Sequence, residues 1–467
     1  MSKADVANPA ELYPPTVVPP AKPLGLPQFL YRFVRNPLQT VPRAVYEEPL
    51  FVYRRNAKSG IVWVTDPTLV ERVLLHEHGD FEKPPLEARV FQATIGHGIL
   101  TAQGPAWRWQ RRTAAPLFRH QELIGHVPAM TAVAEEQLAR WRSPGPARVH
   151  PIDRDMTDAT YAVITRTILA GTTVAEDDII KRAAYSLFGW TSWEVAFGIL
   201  GVPVSVWHPG KAPSRRAAAK LRDTVAGLLA RRQREAARSE ANMAVDLLAK
   251  LSAARNPETG EPMSDEQLID NLLTFLIAGH ETTAKALTWA LYLAARAPAW
   301  QQRVRDEVVS VCGRGPVEAG QLDELPVTRA VLKESMRLYP PVPLMTRMAV
   351  RDCEIGGWKV GRGTLIAIPI FAMHRHRRLW SDPDRFDPQR FFAEAEAKHL
   401  RTQFMPFGFG PRTCIGMAFA MLEATAMFAT LVRGARFEWD GRHLPEPVSR
   451  VTLRPKGGMP LKVTVLG

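Results

Sequence analysis

This sequence predicts a mainly α-helical protein with a small β portion, and three observations predict it. The stretch from Ser264 to Pro298 contains no helix breaker. Four further stretches, 130–141, 157–170, 214–237 and 298–311, place apolar residues at helical spacing. β-type alternation is confined to one early hairpin and two short late runs.

Taken in order, Pro9, Pro14, Pro15, Pro19, Pro20, Pro23 and Pro27 fix residues 1–27 as an extended, non-helical leader that wraps the surface or stays mobile. Residues 28–467 follow as a single domain, since no linker or fixed-period repeat divides them. Between residues 48 and 70 the alternation of Leu50, Val52 and Tyr53, then Ile61, Trp63 and Thr65, around Lys58-Ser59-Gly60, predicts the hairpin. Ser264 and Gln267 have capping-box spacing, so the helix that starts there runs about 33 residues and about 50 Å, enough to cross the molecule. Strands are expected at 365–371 and 461–465.

Composition excludes several classes. With 46% hydrophobic and 23% charged residues the chain buries a large core and is not disordered. Cys312, Cys353 and Cys414 are too few and too scattered for a disulfide scaffold and suit a reducing cytoplasm. Neither a signal peptide nor an apolar run of about 18 residues is visible, so a soluble, cytoplasmic protein without a transmembrane segment is expected. The net charge of +13 comes from 60 Lys and Arg residues spread along the whole chain, which argues against a nucleic-acid arm and suits an acidic protein partner.

The apolar face of the long helix, marked by Leu268, Leu272, Phe275 and Leu276, is interrupted by Ala278-Gly279-His280-Glu281-Thr282-Thr283. Polar groups in a buried helix are costly unless satisfied, so such a break marks a structural water, a packing need or a site. As a site, Thr282 beside Glu281 would hold water in a widened turn and relay protons to something bound against Ala278 and Gly279. Cys414 ends a glycine-rich loop, Phe407-Gly408-Phe409-Gly410-Pro411-Arg412-Thr413, before an apolar run at 417–431. Backbone N–H groups at that loop–helix junction would favour a thiolate, although a lone cysteine is more often an inert buried thiol.

Phe407, Gly410, Arg412, Cys414 and Gly416 fill every fixed place of the F-x-x-G-x-R-x-C-x-G loop, and in this the chain resembles the cytochrome P-450 family. It looks like the soluble, bacterial-like type. The resemblance implies haem b between the long helix and the cysteine loop, with Cys414 as axial iron ligand. Ala278, Gly279, Glu281 and Thr282 match the family's [A/G]-G-x-[D/E]-T pattern, which makes Glu281 and Thr282 the acid–alcohol pair that brings protons to dioxygen. Glu334 and Arg337, at i and i+3, and Arg390 resemble its buried Glu-Arg-Arg cluster and receive structural roles. Trp107, Arg111, Arg347 and Arg412 are candidates for the haem propionates, although a solvated basic face is the ordinary reading of such residues.

The reaction implied is insertion of one oxygen atom of O2 into a C–H bond. Apolar pocket candidates are Phe91, Leu100, Phe275, Ala278, Val342, Leu344, Met345 and Val451, each of which could equally be core. They suit a hydrophobic small molecule such as a fatty acid, terpene or aromatic. Residues 185–207, with Phe188, Trp190, Trp193, Phe197 and Trp207, are expected to roof the access channel. A chain ending at Gly467 carries no fused reductase, so electrons are expected from a ferredoxin or flavodoxin with its reductase. A peroxide-driven enzyme of the same fold and a haem sensor without chemistry remain the rival readings.

Overall fold

The structure, a computed structural model, describes residues 11–56, 59–142, 148–169, 173–187, 191–203, 205–238, 247–256 and 258–466. Pro9, Lys58, Phe188 and Trp190, named above, lie outside the described residues. The leader from residue 11 wraps the molecule. Leu12 and Val17 are buried, the Phe386 N–H donates to the Leu12 carbonyl (2.9 Å), and the Tyr339 hydroxyl donates to that of Pro15 (2.6 Å). It ends sooner than expected, because helix α1 (Leu26–Arg35) begins before Pro27, and proline is tolerated in a first turn where no N–H bond is lost.

Strands β1 (Leu50–Asn56) and β2 (Ser59–Val64) form the hairpin, with Val52 opposite Val62. They occupy less than the span expected, since Asp66 caps a short helix that starts at Pro67. There follow β3 (Phe81–Glu82), α2 (Pro85–Ile95), α3 (Gly104–Ala114), α4 (Val127–Trp141), β4 (Arg148–Pro151), α5 (Ile152–Thr167), α6 (Thr191–Ile199) and α7 (Lys211–Arg238). Next come α8 (Asp265–Arg296), α9 (Pro298–Cys312), α10 (Pro326–Leu338), β5 (Met345–Ala349) and β6 (Leu365–Ile368). The chain closes with α11 (Met417–Gly434), β7 (Ala435–Glu438), β8 (Pro447–Ser449), β9 (Leu453–Pro455) and β10 (Pro460–Val465). Strand β6 stops short of the expected residue 371 because Pro369 follows and residues 370–373 turn into a helix.

The sheet order is β1-β2-β6-β5-β3 in the larger sheet and β4-β10-β7 in the smaller. The helices carry the core. Ser264 and Gln267 close a reciprocal capping box that starts α8, worth about 1 kcal/mol. With 32 residues, α8 spans about 48 Å and packs against α5, α7, α10 and α11. From Leu268 to Ala295 only Ile269, Ala278, Gly279 and Thr282 are not buried. Helix α11 is apolar and long enough to cross a membrane by composition, but 67% of it is buried inside the fold, where it packs on α4, α8 and α9.

Candidate functional site

The cysteine loop is shaped by glycine. Gly408 and Gly410 hold φ of 72° and 76°, and a side chain at Gly410 would stand 2.1 Å from the Leu74 carbonyl oxygen, so the loop closes on residues 72–76 only with glycine there. The turn is then fixed by the Cys414 N–H, which donates to the Phe407 carbonyl (2.9 Å), and the Thr413 N–H, which donates to that of Gly410 (3.0 Å). Cys414 lies just ahead of α11, reachable by solvent yet nearly enclosed by protein. Burial raises its thiol pKa, against the Gly416 N–H and the Arg111 charge, which favour the thiolate. The net direction is upward, while the backbone N–H at the loop–helix junction acts toward the thiolate as the sequence suggests. A directly bound metal cation would ionise the sulfur.

Four cations lie close together near the loop. Arg412 donates to the Ala102 carbonyl (2.9 Å) and lies over the Trp107 ring at 4.1 Å. Arg347 is 6% exposed and spends one donor on its own strand's Thr346 carbonyl (2.8 Å). Arg111 is sensed by both Cys414 and Arg412. Burial, with Arg347 and Arg111 as like-charged neighbours, pushes Arg412 down to about 10. Sequence reasoning missed the fourth cation, Lys83, which is almost fully enclosed and reaches the Leu100 carbonyl (2.8 Å) and Glu87 (3.0 Å). Among the described residues none of the three arginines has a carboxylate within ion-pair distance, and Glu87 is the principal acid near them. Such a surplus of partly buried donors fits an anionic group with two carboxylates.

At the middle of α8, Ala278, Gly279 and Thr282 form an opening in a stretch that is otherwise buried from Asp270 to Ala295. The helix stays α throughout, and the expected widened turn is absent because the Thr282 hydroxyl donates within the regular turn to the Ala278 carbonyl (2.8 Å). Gly279 has a packing reason as well, since a side chain there would meet Ile164 of α5 at 2.7 Å. His280 is a packing residue. Its Nδ1 meets the Leu276 carbonyl, its ring stands edge-on to Tyr161, and its own carbonyl accepts from Thr160 (2.8 Å). Glu281 is buried and turned to the C-terminal strands, where Thr452 donates to Oε1 (2.8 Å) and Arg454 pairs with the same oxygen. Burial raises its pKa, but Arg454, the Thr452 bond, Lys285 and His280 outweigh burial and hold it below the ordinary value.

Glu334 and Arg337 are fully buried and paired through two bonds of 2.6 and 2.7 Å. Arg337 also donates to the carbonyls of His374 (2.7 Å), Pro383 (2.7 Å) and Arg385 (3.0 Å). Arg390 stands farther off, with Nε 3.7 Å from Glu334 and Nη2 on the Asp382 carbonyl. The cluster thus ties α10 to residues 374–390.

Of the pocket candidates, Ala278 and Leu344 are exposed, while Phe91, Leu100, Val342, Met345 and Val451 are partly covered. Phe275 is 6% exposed and packs on Phe118 with ring centroids 5.3 Å apart, so its ring fills core. In the roof stretch Trp193 packs edge-on to Phe197, which packs on His208, while Trp207 is 70% exposed. One more residue escaped the sequence reading. Glu423 on α11 is fully buried, neither carboxylate oxygen has a partner in hydrogen-bond geometry, and burial drives it up to about 8, with only the nearby Thr283 hydroxyl acting the other way. Its signal was present, as the single carboxylate in the apolar run after Cys414. Thr452 and Arg454 had none.

The chain matches the cytochrome P450 family over residues 18–461. It is 32% identical to a cytokinin hydroxylase of Arabidopsis thaliana over 407 residues, covering 85% of this chain and 77% of the relative. It is 30% identical to the 11-oxo-beta-amyrin 30-oxidase of Glycyrrhiza uralensis over 441 residues, or 91% of this chain and 81% of the relative. The crystal structure of the cytochrome P450DA heme domain superposes with a TM-score of 0.82 at 25% identity, covering 97% of this chain and 99% of that one.

Proposed function

Because the chain belongs to the cytochrome P450 family and is a haem-dependent monooxygenase, we propose that it hydroxylates a hydrophobic small molecule at the Ala278–Thr282 opening, with electrons from a separate protein. The carrying observation is that opening. From Leu268 to Ala295 the long helix is buried except at Ile269 and where a small side chain, a glycine and a hydroxyl meet at mid-length, and the pocket candidates are apolar. A fatty acid, terpene or aromatic fits such walls better than a charged metabolite does.

Bound haem supplies the activation of dioxygen and the transfer of one of its atoms. This chain's part is to hold the group and manage protons. Cys414 would hold the iron of the group, Phe407 closes its loop, and Arg111, Arg347, Arg412 and Trp107, with Lys83, would answer its propionates. Glu281 and Thr282 are assigned to carry protons from solvent to the opening. The surplus of positive charge suits an acidic ferredoxin or flavodoxin, and the three scattered cysteines suit the reducing cytoplasm, where we place the enzyme.

The test is the absorption spectrum of the reduced protein with carbon monoxide, followed by a screen of fatty acids, terpenes and aromatics under labelled dioxygen with a supplied ferredoxin and reductase. A strongly red-shifted Soret band and one labelled oxygen atom in the product are expected. A thiolate spectrum with product formed only from added peroxide would overturn the monooxygenase route.

A further inference from the structure

Glu281 is held by a part of the chain that no motif marks. Thr452, between β8 and β9, donates to its Oε1 (2.8 Å), Arg454 on β9 pairs with the same oxygen, and Arg454 Nε in turn reaches the Thr452 hydroxyl (3.4 Å). The Arg454 side chain is 30% exposed and that of Glu281 is 7% exposed, so the pair runs from solvent to the buried helix.

The other groups around the acid close its remaining sides. On α8 itself stand His280, packed on Tyr161, and Lys285, whose Nζ donates to the Thr157 hydroxyl of α5 (3.2 Å). Asp153 of α5 faces Lys285, and Arg450 lies beyond Arg454. Thr282, one residue on and therefore about 100° round the helix, faces the opening with its hydroxyl on the Ala278 carbonyl. Acid and alcohol are neighbours in sequence but point apart.

We propose that Arg454, aided by Thr452, is a positioning residue for proton delivery, which parks Glu281 as a carboxylate on the solvent side of the helix break and marks where protons enter. This rests on the reading that Glu281 and Thr282 serve dioxygen. One proton passes from solvent, beside the exposed guanidinium, to the Glu281 carboxylate, and neutralisation loosens the ion pair. The side chain then turns and gives the proton to the Thr282 hydroxyl oxygen, while the hydroxyl's own proton moves to the acceptor in the opening. Glu281 returns as a carboxylate to Arg454, and no electron moves in the cycle.

The test uses the ferric holoenzyme with Arg454→Gln, Arg454→Lys, Thr452→Val and Glu281→Gln. Difference infrared titration reads the Glu281 carboxyl directly, the Glu281→Gln variant assigning its band. Without the guanidinium, burial loses its largest opponent, so in Arg454→Gln the band should titrate about one pH unit or more higher than in the parent. Arg454→Lys should restore most of the shift, and Thr452→Val should move it the same way by less. In turnover with any accepted substrate, the acid limb of the coupling profile should follow the band. An unmoved titration in Arg454→Gln, in protein with normal haem content and melting, overturns the proposal. If Glu281→Gln loses coupling while Arg454→Gln matches the parent at every pH, positioning alone falls. If Glu281→Gln itself leaves coupling intact, the proton-relay reading falls, and this proposal with it.

Discussion

Replacing Glu423 by glutamine should make the protein more stable in alkali. The carboxyl is fully buried on α11, with neither oxygen hydrogen-bonded, and burial drives its pKa from 4.5 up to about 8. A raised carboxyl pKa means that the folded state holds a proton the unfolded chain has released. Stability is therefore undiminished below about 4.5, lost progressively as pH rises, and lost in full above about 8. Each pKa unit is worth about 1.36 kcal/mol, so the whole penalty is on the order of 5 kcal/mol at pH 9.

Glutamine keeps the shape and carries no charge, so Glu423→Gln adds a pH-independent offset and removes the slope. The unfolding entropy of a chain of this length is roughly 1 kcal/mol per degree, which converts the penalty to a difference in Tm of about 5 °C. The assay is the melting temperature of parent and variant holoprotein, by circular dichroism, from pH 5 to 9. Every other titrating group is common to both and cancels in the difference. The variant should gain on the parent steadily across that range. Two parallel curves would refute the reasoning, because they would mean that Glu423 is solvated or paired in solution.

Cys414→Ala should abolish the thiolate Soret signature and oxygenation together; retention of both would remove the ligand assignment. Thr282→Ala should leave the haem spectrum unchanged and divert reducing equivalents to peroxide, a ratio read by product against peroxide per reductant consumed. Glu334→Ala strands the Arg337 guanidinium in a fully buried setting and should cost about 3–5 kcal/mol, seen as lost haem content or a collapse of melting. Arg412→Ala removes a cation proposed to meet the propionates and the guanidinium over Trp107, and should weaken haem retention against an apoprotein acceptor while leaving the Soret position unmoved.

What was legible in the sequence was written in local terms. The capping box at Ser264 and Gln267 and the uninterrupted run to Pro298 specify α8 within a residue, because cap and periodicity act over one or two turns. The glycines of the cysteine loop and the paired Glu334 and Arg337 were equally visible, since spacing fixes what they can do. The short strands β3, β4, β7, β8 and β9 were not visible. Runs of two to four residues show no usable alternation; β3, β4 and β7 exist because partners farther along the chain pair with them, and β8 and β9 pair only with each other. Lys83 was lost the same way, as an ordinary surface lysine that only the fold buries beside Arg412.

The acid of the helix break shows the limit most clearly. Its sequence position beside Thr282 suggests a pair in contact, but consecutive residues on a helix point about 100° apart, so adjacency in the chain argues against adjacency in space. Its actual partners come from 171 residues away or more. Burial opposes the charge on this carboxyl, as it drives Glu423 upward, and the largest difference between the two acids is what the remote chain supplies. Thr283 offers Glu423 one hydroxyl, whereas residues 452–454 offer Glu281 a hydroxyl and a guanidinium half open to water. Burial thus favours the protonated form of one carboxyl while the remote partners favour the charged form of the other, and that contrast was fixed by the tertiary fold.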